Sequence, residues 1–225
     1  MATFPWQQDV PAMEWLDVPD SGEVIAVTVL ANGTILGVGI DSDLCTRDAL
    51  HDPWHRIPNS GSVLDVIQLR DGTLLGVGLD HRLYTSPAPG DAWTPLPDRA
   101  GILGICQLQD GSLLGVATDH TLCERESLAV PWRPIPNSGS VQTIRQLLDG
   151  TIVGVGVDGA LSVWDARRWI SVPNSPALIG IAQLPDASLL GVDMDGRLGV
   201  LAAEAAGQEL ARACDPCWLA SQAEA

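Results

Sequence analysis

The sequence predicts an all-β fold, a five-bladed β-propeller made of four-stranded antiparallel blades. Five tryptophans recur at near-constant spacing: Trp15, Trp54, Trp93 and Trp132 are each 39 residues apart, and Trp169 follows after 37. Each tryptophan begins the same order of apolar runs and turns. A fixed period of this size is typical of solenoids and propellers, because one unit cannot bury its apolar face alone.

Within one unit the pattern indicates four short strands. In the second unit the apolar runs cover roughly 63–69, 73–79, 82–86 and 93–96, are rich in Val, Ile and Leu, and are separated by turn signals such as Asp-Gly. No run is long enough for a helix. A parallel β-helix is the alternative, but its coils are about half this length, so the sequence favours radial four-stranded blades.

The ends of the repeat array predict the domain boundaries. We expect an N-terminal extension at 1–14, the propeller at 15–201 and a tail at 202–225. Residues 15–18 can complete the last blade, formed by roughly 178–184, 188–193 and 197–201, although Trp218 offers a competing closure. If Trp15 closes the ring, the tail is free, and its AAEAAGQELARAC segment has the composition of a short helix suited to docking a protein partner.

Charge and hydropathy narrow the classes of partner. The chain has 28 acidic residues against 12 basic ones and a formal net charge of −16, and every basic residue is Arg. Such a charge disfavours binding to nucleic acid and to anionic membranes. The sequence has no apolar run of membrane-spanning length and no signal-peptide pattern at its start, so we expect a soluble protein, with a cytoplasmic location favoured.

The five cysteines predict neither a disulfide framework nor a metal site. Cys45, Cys106 and Cys123 occupy strand positions that other units fill with different residues, so we expect packing roles in a reducing compartment. Cys214 and Cys217 form a CDPC pair in the tail. That pair can be half of a zinc site, a redox pair or an incidental spacing; no further ligands accompany it, and a structural or incidental role is favoured. No cofactor is predicted.

The repeated sequence motifs resemble those of a known family. Each unit reads W-x-x-(I/V)-P and continues into an LGVG-like strand and then a strand such as LYTS at Leu83 to Ser86. These motifs resemble the tectonin repeat and are similar to the five-bladed tachylectins, over about residues 15 to 201. The resemblance implies carbohydrate recognition, although tectonin repeats also occur in proteins that act through protein partners. The family's VWGV tryptophan is absent here, and its place is taken by Leu36 in the first unit and by Leu or Val in the others.

The candidate binding residues lie in the polar PNSGS loops and at one tryptophan outside the period. Asn and Ser offer donors and acceptors for sugar hydroxyls and N-acetyl groups, while an Asx-type turn explains the same residues equally well. The recurring tryptophans are expected to pack blades, whereas a tryptophan outside the pattern is free to stack on a sugar. The candidates are Asn59, Ser60, Asn137, Ser138, Asn174, Ser175 and Trp164.

Two further polar positions recur in the units. An Asp before the third strand recurs at Asp41, Asp80, Asp119, Asp158 and Asp195, where turn chemistry is the expected cause. A Gln inside the first strand recurs at Gln68, Gln107, Gln146 and Gln183, and Val29 breaks the set. That Gln lines the central channel or ties one blade to the next.

Two functions remain, and neither is enzymatic. The four histidines do not recur in the units or show metal-ligand spacing, and no nucleophile motif appears. The first hypothesis is a lectin-like module that binds carbohydrate or glycoprotein, N-acetylated sugars above all, through weak sites repeated between blades. The alternative is a non-catalytic scaffold or subunit that holds a protein through a propeller face or the tail.

Overall fold

Twenty strands form five antiparallel sheets of four strands in the computed structural model, which describes residues 14–97 and 101–214. A single helix follows the last strand. The strands are β1 Leu16–Asp17, β2 Val24–Val29, β3 Ile35–Gly39, β4 Leu44–Arg47, β5 His55–Arg56, β6 Val63–Gln68, β7 Leu74–Gly78, β8 Leu83–Ser86, β9 Thr94–Pro95, β10 Ile102–Gln107, β11 Leu113–Ala117, β12 Leu122–Arg125, β13 Arg133–Pro134, β14 Val141–Gln146, β15 Ile152–Gly156, β16 Leu161–Trp164, β17 Trp169–Ser171, β18 Leu178–Gln183, β19 Leu189–Asp193 and β20 Leu198–Leu201; the helix is α1 Ala203–Ala213.

The sheets are the blades of a propeller, which confirms the predicted fold class. Blades 1 to 4 are β2–β5, β6–β9, β10–β13 and β14–β17, and blade 5 has the order β18-β19-β20-β1. The first strand of each blade contacts the first strands of its neighbours, so β2, β6, β10, β14 and β18 surround the central channel. We call the face with the turns after β3, β7, β11, β15 and β19 the upper face, and the opposite face the lower face.

The N-terminal strand closes the ring, as the sequence predicted. Strand β1 pairs with β20 through Leu16↔Val200 and Asp17↔Gly199. Trp15 packs in the core between blades 4 and 5. Trp218, the competing candidate, lies outside the described residues, as do Cys217 and residues 1–13.

The recurring tryptophans pack between blades, and the glycine of each LGVG strand makes room for them. Trp54 of blade 1 joins a cluster that includes Leu190 and Leu198 of blade 5. A Cβ atom added to Gly37 would lie 2.9 Å from Cη2 of Trp54, and the same approach recurs at the other four tryptophans. The constant spacing of the repeat therefore places a tryptophan beside a glycine of the second strand in every blade, where no side chain obstructs the indole ring.

The recurring glutamines tie each blade to the one before it. The Gln68 side chain accepts a hydrogen bond from Ala31 N at 2.8 Å and donates to Gly72 O of its own turn at 3.0 Å. The same acceptor bond joins blades 2 and 3, 3 and 4, and 4 and 5. At the joint between blades 5 and 1, Val29 replaces the glutamine and Pro185 occupies the donor position. The valine side chain has no acceptor and proline has no N–H. This joint therefore has neither the acceptor nor the donor of the interblade hydrogen bond.

A charged pair fills the central channel. Arg145 in β14 and Asp65 in β6 are 7% and 3% exposed, and Arg145 Nη2 lies 2.7 Å from Asp65 Oδ1. The guanidinium also donates to Val27 O at 3.2 Å and Ile105 O at 3.1 Å. One side chain of blade 4 thus binds blades 1, 2 and 3. Although burial opposes the charge, the Asp65 carboxylate raises the pKa of Arg145 above its ordinary value.

The C-terminal helix is present as predicted, but it is not free. Ala206, Leu210 and Ala213 share one helix face and are buried in the core of blades 4 and 5. The expectation of an unattached tail is therefore wrong for Ala203–Ala213, because apolar residues three and four positions apart make a stripe that is stable only against another surface.

Candidate functional site

A pocket recurs at the same place on the upper face in blades 1, 2 and 4. Its volume is about 220 Å³ in blade 1, 330 Å³ in blade 2 and 250 Å³ in blade 4. Each pocket lies between the loop that enters the blade, the turn after its second strand and its outer tryptophan. Such volumes are at or below the small end of ligand pockets, which run to about 300–1,000 Å³.

An indole edge and the entering loop form one side of each pocket. Trp54, Trp93 and Trp169 line the three pockets. Their Nε1 atoms donate to the backbone oxygens of Ser21 at 3.1 Å, Ser60 at 3.2 Å and Ser138 at 2.9 Å. Because these bonds fix the ring, each tryptophan both packs its blade and presents a rigid aromatic edge to the cavity.

A carboxylate and an exposed aliphatic side chain form the other side. Asp41, Asp80 and Asp158 each accept a hydrogen bond at Oδ1 from the amide two residues on, at 3.1, 3.1 and 3.0 Å. This is the turn role that the sequence predicted, and the same three aspartates line the pockets. The preceding residue of each turn is apolar and exposed: Ile40, Leu79 and Val157.

The pockets differ in what already occupies the carboxylate. In blade 1, Arg56 pairs with Asp41 and, at 2.9 Å, with Asp43. In blade 2, the Tyr84 hydroxyl donates to Asp80 Oδ2 at 2.9 Å. This bond raises the pKa of Tyr84. Slight desolvation opposes the charge on Asp80, but hydrogen bonds from the Arg82 amide and Tyr84 outweigh it and lower the pKa of Asp80.

The blade 4 pocket has the most available polar groups. Among the described residues no side chain pairs with the Asp158 carboxylate. Ser140, Ser162 and Ser171 line the same pocket beside Trp169. The cavity therefore combines an uncompensated carboxylate, three hydroxyls and an indole edge.

The structure places the predicted loop residues beside the pockets rather than in their lining. Ser60 Oγ accepts from Leu44 N at 2.8 Å and donates to Ile57 O at 2.6 Å; Ser138 makes the equivalent bonds, and Ser175 Oγ accepts from Leu161 N at 3.1 Å. Asn59, Asn137 and Asn174 are exposed in the left-handed region with φ of 59°, 59° and 56°. The next two residues of the loops, Gly61-Ser62 and Gly139-Ser140, are the ones that line pockets.

Trp164 lies apart from the pockets. Its ring centroid is 5.2 Å from that of Trp169 with a tilt of 51°, and it packs against the core between blades 3 and 4. A ligand role for Trp164 and for the six loop residues stays a prediction.

Sequence reasoning missed the exposed aliphatic residues of the turns. Ile40, Leu79, Val157 and Met194 occupy one turn position in four blades, with Thr118 in the remaining one. The signal was present in the repeat alignment, because turns at a surface are normally polar.

Within 14–97 and 101–214, no group of three or more His, Cys, Asp or Glu side chains could hold a metal ion. No helix in those ranges has the length and hydropathy needed to cross a membrane.

Comparison with other proteins agrees on the fold. No family model matches the sequence, and no curated protein matches it. The chain is similar in structure to a gluconolactonase-like protein, with 15% identity, coverage of 77% of this chain and 72% of that chain, and a TM-score of 0.53. It is also similar to the WD40 β-propeller domain of Doa1, with 13% identity, coverage of 79% of this chain and 62% of that chain, and a TM-score of 0.51. YCF48 bound to a D1 peptide also matches, with 16% identity, coverage of 84% of this chain and 69% of that chain, and a TM-score of 0.48. At these identities the likeness shows a β-propeller fold and nothing finer.

Proposed function

We propose that this propeller is a non-catalytic, lectin-like protein that binds carbohydrate, N-acetylated sugars above all, in the upper-face pockets of its blades. The observation that carries the proposal is the recurrence of one pocket, with an indole edge, a carboxylate and an exposed aliphatic residue, in blades 1, 2 and 4. Repetition of a weak site gives avidity toward a multivalent ligand without requiring any strong single site.

The chemistry of the pockets suits a sugar with an N-acetyl group. A carboxylate accepts hydrogen bonds from sugar hydroxyls, and charge-assisted bonds are the stronger ones. The indole edge of Trp169, fixed by its bond to Ser138 O at 2.9 Å, offers the sugar ring a rigid apolar contact. The exposed side chain of Ile40, Leu79 or Val157 gives an acetyl methyl group an apolar contact. The blade 4 pocket is the strongest candidate, because Asp158 has no competing cation or tyrosine among the described residues.

The test is calorimetric titration of the protein with N-acetylglucosamine and N-acetylgalactosamine, together with a glycan array. Asp158→Asn preserves the cap on Ala160 N, since an amide oxygen also accepts, but removes the charge. We expect this variant to weaken sugar binding about tenfold, the effect of losing roughly 1.4 kcal/mol from a charged hydrogen bond.

Asp149→Asn is the matched control. Asp149 makes the same cap, to Thr151 N at 2.9 Å, but in the lower-face turn between β14 and β15. Its substitution should leave sugar binding unchanged. A blank array, or equal loss from both substitutions, would contradict the proposed sites.

A further inference from the structure

A separate cavity lies where the central channel opens on the upper face. Its volume is about 230 Å³. The second residue of every channel strand forms its collar: Ile25, Leu64, Leu103, Gln142 and Ile179. Four of the five collar residues are aliphatic, and all are half-buried.

Backbone irregularity points these side chains at the opening. In each blade the pairing of the first two strands shifts at that second residue, for example between Val24 and Ala26 and between Ile102 and Gly104. The same shift occurs in the other three blades. A β-bulge leaves one residue unpaired and redirects its side chain. Five equivalent bulges therefore build an apolar ring that faces solvent instead of the blade interior.

The cavity has a closed floor. Asp65 lines it, and its carboxylate is held by Arg145 at 2.7 Å and by the Ile105 amide at 3.0 Å. Because the ion pair seals the channel, an occupant enters from the upper face. The floor charges are already paired. His120 and Gln142 also line the cavity, but His120 Nδ1 lies 3.1 Å from Val141 O and Gln142 Nε2 donates to Leu178 O at 3.4 Å, so the aliphatic collar supplies the apolar contact for an occupant.

A second apolar ring surrounds this opening. Ile40, Leu79, Val157 and Met194 are 65%, 54%, 54% and 65% exposed. Their turns lie against the collar, since each turn accepts a backbone bond from the first residue of the next channel strand, as in Ile102 N to His81 O at 2.9 Å. The outer ring is interrupted by Thr118 in blade 3. Two sets of apolar side chains thus share one face, and a concentration of exposed apolar residues is typical of interaction sites.

The charge of the same turns selects the partner. The five segments 40–43, 79–82, 118–121, 157–160 and 194–197 carry six aspartates and two arginines. Arg56 also pairs with Asp41 and Asp43, so six carboxylates against three guanidinium groups leave a net charge of −3 at this rim. The whole chain has a net charge of −16. An acidic rim around an apolar centre is complementary to a cationic segment with an apolar face.

We propose that the upper face docks a basic, amphipathic peptide segment of another protein, with an apolar side chain of that segment inserted in the collar. The acidic rim steers and orients the segment, and the collar supplies the contact that distinguishes it from any other cation. This docking does not depend on sugar binding in the blade pockets.

The test uses three labelled synthetic peptides of equal length in fluorescence anisotropy: leucine with lysine, leucine with glutamate, and serine with lysine. We expect the leucine–lysine peptide to bind, with weaker binding as ionic strength rises. The other two should bind at least about tenfold more weakly, since one lacks the charge and the other lacks the apolar group.

The matched variant is Leu64→Gln with Leu103→Gln. Gln142 occupies the same collar position in blade 4, so the fold accepts glutamine there. This variant keeps the charge of the protein and should weaken leucine–lysine binding at least about tenfold. Leu148→Gln, at a 65% exposed site of the lower face, is the control and should change nothing.

Three results would overturn the proposal: no binding of the leucine–lysine peptide, equal binding of the serine–lysine peptide, or a collar variant that binds as the control does. Thermal unfolding of each variant confirms that it is folded. Leu64 and Leu103 line none of the blade pockets, so the collar variant should bind N-acetylglucosamine as the parent protein does, which separates the collar from those pockets.

Discussion

At the residue scale, the blades differ at the last position of the third strand, whose side chain lies against the face of the recurring tryptophan in blades 1, 3 and 4. The Arg47 guanidinium lies 4.8 Å from the Trp54 centroid, and that of Arg125 lies 4.3 Å from the Trp132 centroid. In blade 4 that place belongs to Trp164. All three provide a flat group against an indole face, by cation–π or aromatic contact. Contact with the indole face therefore accounts for a flat side-chain group at this position in blades 1, 3 and 4.

The clearest departure is the ion pair in the channel, and it gives a stability prediction. Arg145→Met leaves the Asp65 carboxylate buried without its cation, and breaking such a pair costs about 3–5 kcal/mol. Arg145→Met with Asp65→Ala should recover much of that loss, because replacement of both partners removes the uncompensated charge. Urea unfolding of the three proteins measures the difference.

The control for the channel pair is Arg133→Met. Arg133 is 62% exposed and lies 3.6 Å from Glu124, so we expect a change of at most about 1 kcal/mol. If Arg145→Met costs no more than Arg133→Met, the pair does not stabilise the ring.

Thiol reactivity should divide the cysteines by burial. Burial raises the pKa of Cys45 to about 11, against the opposing effect of Arg47, and it also raises the pKa of Cys106. A thiol with a raised pKa has little reactive thiolate near neutral pH. Desolvation and the Asp165 charge also raise the pKa of Cys214, so the expected difference in labelling comes from access of the reagent to this exposed thiol. In a Cys217→Ser protein, native iodoacetamide labelling at pH 8 should modify exposed Cys214 and spare Cys45, Cys106 and Cys123. Peptide mass mapping checks this; labelling of Cys45 at the rate of Cys214 would contradict it.

At the element scale, strand positions could be predicted because they are local, whereas the pockets could not. The run predicted at 63–69 is Val63–Gln68 in the structure, since alternation and turn residues act within a few positions. A pocket instead combines elements far apart in sequence: Trp54 bonds the Ser21 backbone 33 residues away. The loop serines illustrate the limit, because the same hydroxyl that could bind a sugar also satisfies a buried amide, and only geometry separates the two.

The joint between blades 5 and 1 gives a gain-of-stability prediction. Val29→Gln restores the acceptor and Pro185→Ala restores the donor, so the two together should add an interblade hydrogen bond worth about 0.5–1.5 kcal/mol. Pro185→Ala alone should destabilise slightly, because it increases the freedom of the unfolded chain. A double-mutant cycle in urea isolates the coupling between the two changes.

The corresponding loss-of-stability variant is Gln107→Val, which removes the interblade hydrogen bond that Gln107 accepts from Arg70 N at 2.9 Å. It should lower the free energy of unfolding by about 1 kcal/mol. The interblade glutamine hydrogen bond, here called the glutamine clasp, does not stabilise the ring if the cycle shows no coupling and Gln107→Val leaves the free energy of unfolding unchanged.

At the scale of the whole molecule, the ring has one joint unlike the others. On the upper face all five joints keep a backbone bond, including Val24 N to Gly196 O at 3.1 Å. On the lower face four joints have the glutamine clasp and the joint between blades 5 and 1 has none. The same blade is completed by the two-residue strand β1. Residues 18–23 link β1 of blade 5 covalently to β2 of blade 1, so the break in covalent continuity lies within blade 5, between β20 and β1. That break is in the blade that borders the joint without a glutamine bond.

The ring should therefore open first at blade 5, by release of β1 from β20 and separation of the joint with blade 1 that lacks the glutamine bond. Native-state hydrogen exchange reports local opening, and segments with fewer bonds open at lower free energy than the global transition. We expect the amides that pair β1 with β20 to exchange before those that pair β10 with β11, in the middle of the chain. The Val29→Gln and Pro185→Ala variant tests the cause: it should slow exchange in β2 and β18, which flank the joint, and leave β10 and β14 unchanged. Equal protection of all blades in the parent protein, or uniform slowing in the variant, would show that the ring opens as a single unit.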